Sequence, residues 1–248
     1  MTDLKNKVAV ITGGAGGIGS AISKRLAFAG ATVIVTYNNN ADKAFELVCE
    51  LKGSNHAAVH GPVDNSLELK KMADFVSGKY GRLDVLVNNA GITTHVPHDD
   101  LDGLTDEWID KIFSTNFRGS FAMIRAFKNL LTQSDDALIV NISSVAAVSG
   151  IGSNVAYCAS KAAIDSMTRS LARSLAPKIR VVSVSPGWVM GEYAKNVNDE
   201  FLQKQLDATP LNRFANPEDV ADAVLALATA LKFTTGSIIP VDGGRLLK

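Results

Sequence analysis

Seven short runs of apolar, often β-branched residues recur along this chain, and stretches of helical period separate them; that alternation constrains the fold more than any other feature. The runs lie at residues 8–11, 32–36, 57–60, 85–88, 138–142, 180–185 and 237–241. The helical patterns occupy 20–29, 41–52, 67–79, 106–131, 155–175 and 217–228. Runs this continuously apolar belong to parallel strands covered on both faces. Strand and helix alternating this often predict an α/β fold, a doubly wound parallel sheet in one domain spanning 1–248. Gly30 stops the first helix, Asn216-Pro217 opens the last, and Asp242-Gly243-Gly244 closes the final strand. Residues 188–211 break the rhythm by mixing Trp188, Met190 and Tyr193 with polar residues, and read as a substrate lid.

The composition narrows the function classes. Acidic and basic residues balance at 25 each, so no nucleic-acid or membrane-surface partner is expected. The two cysteines, Cys49 and Cys158, suit a reduced cytoplasmic protein better than a disulfide scaffold. The first seven residues lack the apolar core of a signal peptide, and no apolar run approaches the length of a bilayer span.

The first apolar run leads straight into Thr12-Gly13-Gly14-Ala15-Gly16-Gly17-Ile18-Gly19, and a helix follows. Missing β-carbons let the backbone turn sharply and approach a pyrophosphate, and the helix start adds partial positive charge. The segment satisfies both G-x-G-x-x-G and T-G-x-x-x-G-x-G, which points to a dinucleotide. No Walker lysine follows, which argues against a nucleotide triphosphatase.

Tyr157 and Lys161 lie four apart in a helical pattern and so share a face. A free phenol titrates near pH 10; an adjacent ammonium favours the phenolate and brings that value down. Ser143-Ser144 ends the run at 138–142, which brings hydroxyls to the carboxyl edge of the sheet, where open α/β sheets bind ligands. A hydroxyl there is placed to hold a substrate carbonyl. Serine hydrolysis is excluded, because G-x-S-x-G is missing and no histidine accompanies Ser144.

Together these residues resemble the short-chain dehydrogenase/reductase family, over nearly the whole chain from Lys7 to Gly244. The landmarks occur in order: the glycine turn, Asp64, Asn88-Asn89-Ala90-Gly91, Asn116, Ser144, Tyr157 with Lys161, Ser185-Pro186-Gly187, Asn216-Pro217 and Asp242-Gly243-Gly244. The resemblance implies a seven-stranded, Rossmann-like sheet, usually assembled as a homotetramer through the helices that carry Asn116 and Tyr157. It also implies an NAD(P)-dependent exchange between a secondary alcohol and a ketone, with Tyr157 as general acid or base and Ser144 orienting the carbonyl oxygen. Lys161 would bind the nicotinamide ribose and lower the tyrosine pKa, and Asn116 would hold a relay water. The cofactor contacts so implied are Gly13, Ala15, Gly17, Ile18, Gly19, Tyr37, Asn38, Asp64, Asn89, Ala90, Gly91, Tyr157, Lys161, Pro186, Gly187 and Val189. One position departs: where the family usually has threonine, this chain has Gly191.

NAD-preferring members end the second strand with an acidic residue, but Tyr37 stands there. NADP is therefore the expected cofactor ahead of NAD, although neither Gly16 nor Asn38 supplies the arginine often used; Thr36, Asn38, Asn39 and Lys43 are the candidate phosphate contacts. The expected substrate is a free small alcohol or ketone, sugar- or polyol-like. Its pocket would be formed by Thr94, His95, Ser144, Val145, Ala146, Ile151, Trp188, Met190 and Tyr193. Relatives that reduce 3-oxoacyl groups on acyl carrier protein commonly carry a basic run before the serine strand. Here Thr132-Gln133-Ser134-Asp135-Asp136 would repel an acidic carrier, which makes that substrate the alternative. A non-catalytic dinucleotide sensor is a further alternative, weakened by retention of all four catalytic residues. No metal is expected, because the pairs His56/His60 and His95/His98 lack a third ligand.

Overall fold

The protein's structure, a computed structural model, describes residues 4–191 and 199–247. The elements follow in order as β1 (Val8–Ile11), α1 (Gly17–Phe28), β2 (Thr32–Tyr37), α2 (Ala41–Glu50), β3 (Ala57–His60), α3 (Ser66–Tyr80) and β4 (Val85–Asn88). Then come α4 (Asp106–Phe113), a π-helical turn (Ser114–Gly119), α5 (Ser120–Leu131), β5 (Ala137–Ile142), α6 (Ala146–Ser149) and α7 (Val155–Leu175). The chain continues through β6 (Ile179–Pro186), α8 (Asp199–Asp207), α9 (Pro217–Thr229), β7 (Ile238–Val241) and a 3-10 turn (Arg245–Leu247). All seven strands pair in parallel, in the order β3-β2-β1-β4-β5-β6-β7. Pro240, which cannot donate to a ladder, sits in the edge strand β7.

Alternate residues of each strand feed two apolar layers. Ile11, Val35, Val87, Val140 and Val184 pack against Ile22 and Leu26 of α1 and Val220, Val224 and Leu227 of α9. Val10, Ile34, Leu86, Ile139 and Val181 pack against Met72 of α3, Met123 and Phe127 of α5, and Ile164 of α7. The doubly wound sheet expected from the apolar runs is therefore present. Strand order reverses at β1, so the crevice between β1 and β4 opens at their carboxyl ends, the place where such sheets take ligands.

Two details differ from the periodicity. The helix expected over 106–131 is interrupted by the π-helical turn that carries Asn116, a distortion that recurs at functional sites. Within the stretch read as a lid, residues 199–207 form α8, while Tyr193 lies outside the described residues. The stem of that stretch is fixed: Met190 N–H donates to Ala215 O at 2.8 Å, Ala215 N–H donates to Trp188 O at 3.0 Å, and the Trp188 and Phe214 rings lie 6.2 Å apart.

Candidate active site

Thr12 fastens the glycine turn to the segment after β4. Its hydroxyl accepts from the backbone N–H groups of Asn89 and Ala90, both at 2.9 Å. Asn89 Nδ2 donates in return to the carbonyls of Thr12 (2.9 Å) and Gly13 (3.2 Å). Two glycines are required by geometry. Gly13 has a φ of +59°, and a Cβ on Gly19 would lie 2.3 Å from Gly13 O. The start of α1 has no side-chain cap and no acidic residue in its first turn, so its N–H groups stay open to an anion.

Asn154 starts α7. It is fully buried, and its Oδ1 accepts from Tyr157 N–H at 2.7 Å while its Nδ2 donates to Thr94 O at 2.7 Å. That cap fixes the first turn of the helix, and hence the phenol, against the segment after β4. One turn on, the Lys161 ammonium lies 5.7 Å from the centre of the Tyr157 ring and donates to Ile142 O at 2.8 Å. Only 6% of Lys161 is exposed. Burial lowers its pKa to about 8, with the charge of Asp165 acting in the other direction. Asn116 brackets Ile92 by accepting from its N–H (2.8 Å) and donating to its carbonyl (3.1 Å), and it also donates to Ser160 Oγ at 3.0 Å. A Cβ on Gly91 would meet Asn116 Oδ1 at 3.3 Å and Lys161 Nζ at 3.7 Å, so glycine lets the backbone pass close to both. Ser144 Oγ accepts from Ala146 N–H at 3.2 Å at the start of α6.

These groups converge on a cavity of about 290 Å³. Its walls include Ile18, Asn89, Gly91, Ser144, Tyr157, Lys161, Pro186, Gly187 and Val189, all expected from the sequence. They also include Ile92, Thr93, Ile142 and Ser143. Ser143 is the strand-end hydroxyl expected beside Ser144, whereas Ile92, Thr93, Ile142 and the capping Asn154 are not among the expected site residues. For Asn154 a signal existed, an asparagine directly before a helical run. For Ile142 none did, because it contributes a backbone carbonyl.

The remaining expected positions lie outside those walls. Gly13, Ala15, Gly17 and Gly19 shape the turn. Tyr37 packs between Phe45 and His60 with tilted rings whose centres lie 6.1 and 5.7 Å away, and Asn38 and Asp64 are exposed. The Thr36 side chain is buried, a correction to its reading as a phosphate contact: it alternates with Val35 and shares the face of Ile34, toward the sheet's second apolar layer. Ala90, Thr94, His95, Val145, Ala146, Ile151, Trp188 and Met190 do not line the cavity. Val145 and Ala146 are buried at α6, whereas Ile151 is 72% exposed. Among the described residues, nothing lies within 4 Å of where a side chain at Gly191 would begin. His56 is structural: its Nδ1 accepts from Val33 N–H at 3.0 Å, which leaves Nε2 to donate to Lys52 O. Among the described residues no cluster of three metal-ligating side chains occurs, and no helix is long and apolar enough to cross a membrane.

A family profile described as enoyl-(acyl carrier protein) reductase matches residues 13–245. The 3-oxoacyl-acyl-carrier-protein reductase FabG of Staphylococcus aureus is 36% identical over 247 residues, covering 96% of this chain and 97% of its own. The reductase of that name from Thermotoga maritima is 35% identical over 248 residues, covering 98% and 99%. A crystal structure described as a short-chain dehydrogenase/reductase, glucose/ribitol dehydrogenase, from Brucella melitensis superposes with a TM-score of 0.91 at 30% identity, over 97% of each chain. This chain belongs to the short-chain dehydrogenase/reductase family. It is an NAD(P)-dependent oxidoreductase acting on CH–OH groups. The glycine cradle, the uncapped start of α1 and the adjoining cavity fit such a dinucleotide, because β-carbons at Gly13 or Gly19 would close the turn.

Proposed function

We propose that the protein interconverts a secondary alcohol and a ketone on a free small molecule, with Tyr157 passing the proton and NADP preferred over NAD. A bound nicotinamide supplies or accepts the hydride. Tyr157 gives its proton to the carbonyl oxygen in reduction and takes it back in oxidation. Ser144 donates a hydrogen bond to that oxygen as negative charge develops. Lys161 holds positive charge one helical turn below the phenol and favours its ionised form. Asn116 keeps Ile92 in place beside the lysine and carries the relay role. The observation behind the reading is the placement of the Lys161 ammonium 5.7 Å from the Tyr157 ring, in a cavity that Ser144 shares.

For the cofactor, Tyr37 leaves no carboxylate to repel a 2′-phosphate, and exposed Asn38, Asn39 and Lys43 stand nearby in sequence. Hydroxyls of Thr93 and Ser144 in the cavity wall favour a polar, sugar- or polyol-like substrate. We assign residues 188–211 to covering that substrate and place the protein in the cytoplasm. A homotetramer is favoured by apolar Phe121 and Val155, left exposed on the helices that carry the site.

A specific observation also favours a 3-oxoacyl-acyl-carrier-protein substrate. The acidic residues that argued against it precede β5, at the edge of the sheet opposite the cavity, and Asp136 is neutralised by Arg180 and Lys232. Within one chain the charge argument therefore loses its force, and the names of the relatives point the same way. The deciding experiment measures NADPH and NADH oxidation with a panel of free ketones and with a 3-oxoacyl-acyl-carrier protein. A kcat/KM for the carrier substrate tenfold above the best ketone would replace the first reading, and faster turnover with NADH would reverse the cofactor.

A further inference from the structure

The face that α7 turns to the sheet carries more than the phenol and the ammonium. Tyr157, Lys161, Asp165 and Thr168 follow at spacings of four, four and three residues, so they form a column down one side of the helix. At its foot, Thr168 Oγ1 accepts from Asn141 Nδ2 at 2.9 Å, and Asn141 Oδ1 accepts from Asn88 Nδ2 at 2.8 Å. Between that ladder and the ammonium sits Asp165, only 3% exposed. Ser183 Oγ on β6 lies 3.2 Å from its Oδ1 and 3.1 Å from Asn141 O, so its one proton is shared between the two acceptors. The hydroxyl of Ser143, 3.2 Å from the Lys161 carbonyl, also lies against the carboxylate. A carboxylate this deep costs folding energy that an apolar residue of similar size would avoid.

We propose that Asp165 is a positioning residue for the reaction: held at the sheet beside Ser183 and one helical turn from Lys161, its carboxylate keeps the Lys161 ammonium charged under Tyr157. The inference rests on the proton-transfer roles given above to Tyr157 and Lys161.

The surroundings leave this task to Asp165. Burial works to discharge Lys161, and Asp165 is the charge that opposes it. Burial likewise pushes the Asp165 pKa up, against hydrogen bonds from Ser143 and Ser183 and the charges of Arg169 and Lys161. From the other elements packed on this part of α7 come neutral groups: the Ile142 carbonyl and Ser143 from β5, Ser183 from β6, and Asn116 from the π-helical turn. Arg118 of that turn is exposed and bonded to Ser114 and the Asp64 carbonyl, α6 carries no charge, and the charged residues of α4 are exposed. Without the carboxylate, the lysine would lose its proton within the working pH range, and a neutral amine no longer favours the phenolate.

The test compares the full-length protein with Asp165→Asn, which preserves shape and removes charge. NMR of protein labelled at lysine Cε, with Lys161→Met to assign the signal, reads the titration directly. Wild-type Lys161 is expected to titrate near 8, and in Asp165→Asn about one pH unit lower, as loss of a nearby opposite charge dictates. In parallel, the alkaline limb of kcat/KM for alcohol oxidation should move down by the same amount, a loss of about fivefold at pH 8 with little change at pH 6. A residue that only supports packing would lower activity equally at every pH. Identical Lys161 titrations in the two proteins would overturn the proposal. If Asp165→Asn does not fold, Ser183→Ala, which frees the carboxylate, must shift the titration in the same direction by a smaller amount, and no shift there overturns it equally. A wild type that oxidises no alcohol would strike the reaction assigned to the site, while the NMR titration still decides whether Asp165 holds the lysine's charge.

Discussion

At the amino end of the sheet, Asp84 is ringed by partners; at the carboxyl end, Lys161 is buried beside an open cavity. Asp84 is 1% exposed and accepts from Arg82 (2.5 and 2.9 Å), Ser134 (2.6 Å), Val8 N–H (2.9 Å) and Lys7 (3.2 Å). Burial acts to raise its pKa, but those hydrogen bonds outweigh it and hold the carboxyl below its ordinary value. Lys161 has one carbonyl acceptor, and burial pulls its pKa down toward neutrality. A fully partnered charge contributes stability and no reactivity. A charge left under-compensated next to a cavity costs stability and tunes its neighbour.

That contrast breaks if substitutions at the two edges have the same kind of effect. The largest effect is expected for Tyr157→Phe, which should lower kcat by about 10²–10⁴-fold, the usual contribution of a positioned acid or base, with dinucleotide affinity kept. Equal rates in a steady-state assay of the two proteins would remove the phenol from the mechanism. Asp84→Asn should do the reverse, costing about 2–4 kcal/mol in denaturant unfolding while kcat stays within twofold. Its pH signature follows from the depressed pKa. The stabilisation from Asp84 is complete above the carboxyl's unfolded pKa, about 4, and is lost as pH falls through the lower folded value. Below pH 4 the wild type should therefore lose stability faster than the variant, and parallel curves would show that Asp84 is not the group titrating.

Gly19→Ala tests the carboxyl edge without touching a charge. The new methyl would meet Gly13 O at 2.3 Å and Asn89 Nδ2 at 2.7 Å. A cost of about 1–3 kcal/mol is expected, with dinucleotide affinity reduced more than tenfold by titration calorimetry. Unchanged affinity would mean that the turn is not the binding element. The smallest effect is expected for Asn154→Ala, at about 1 kcal/mol for the lost cap. Because the cap also anchors Thr94 and the first turn of α7, kcat should fall severalfold, and a loss of stability alone would separate the cap from the site.

The sequence alone determined the seven strands, the longer helices other than the break at Asn116, the glycine turn, and the pairing of Tyr157 with Lys161. Each of these is written in neighbours two to four residues apart, where chain geometry enforces who meets whom. Tertiary structure decided the rest. Ile142 reaches Lys161 across 19 positions, Asn116 reaches Ile92 across 24, and Lys7 reaches Asp84 across 77. It also turned Thr36 inward, against its reading as a phosphate contact, and paired Asp136 with Arg180 and Lys232. Such meetings follow from the order in which strands pair and from the layer into which each side chain points. Local periodicity leaves that order open, because the central strands β1, β4 and β5 have two buried faces that look alike in sequence.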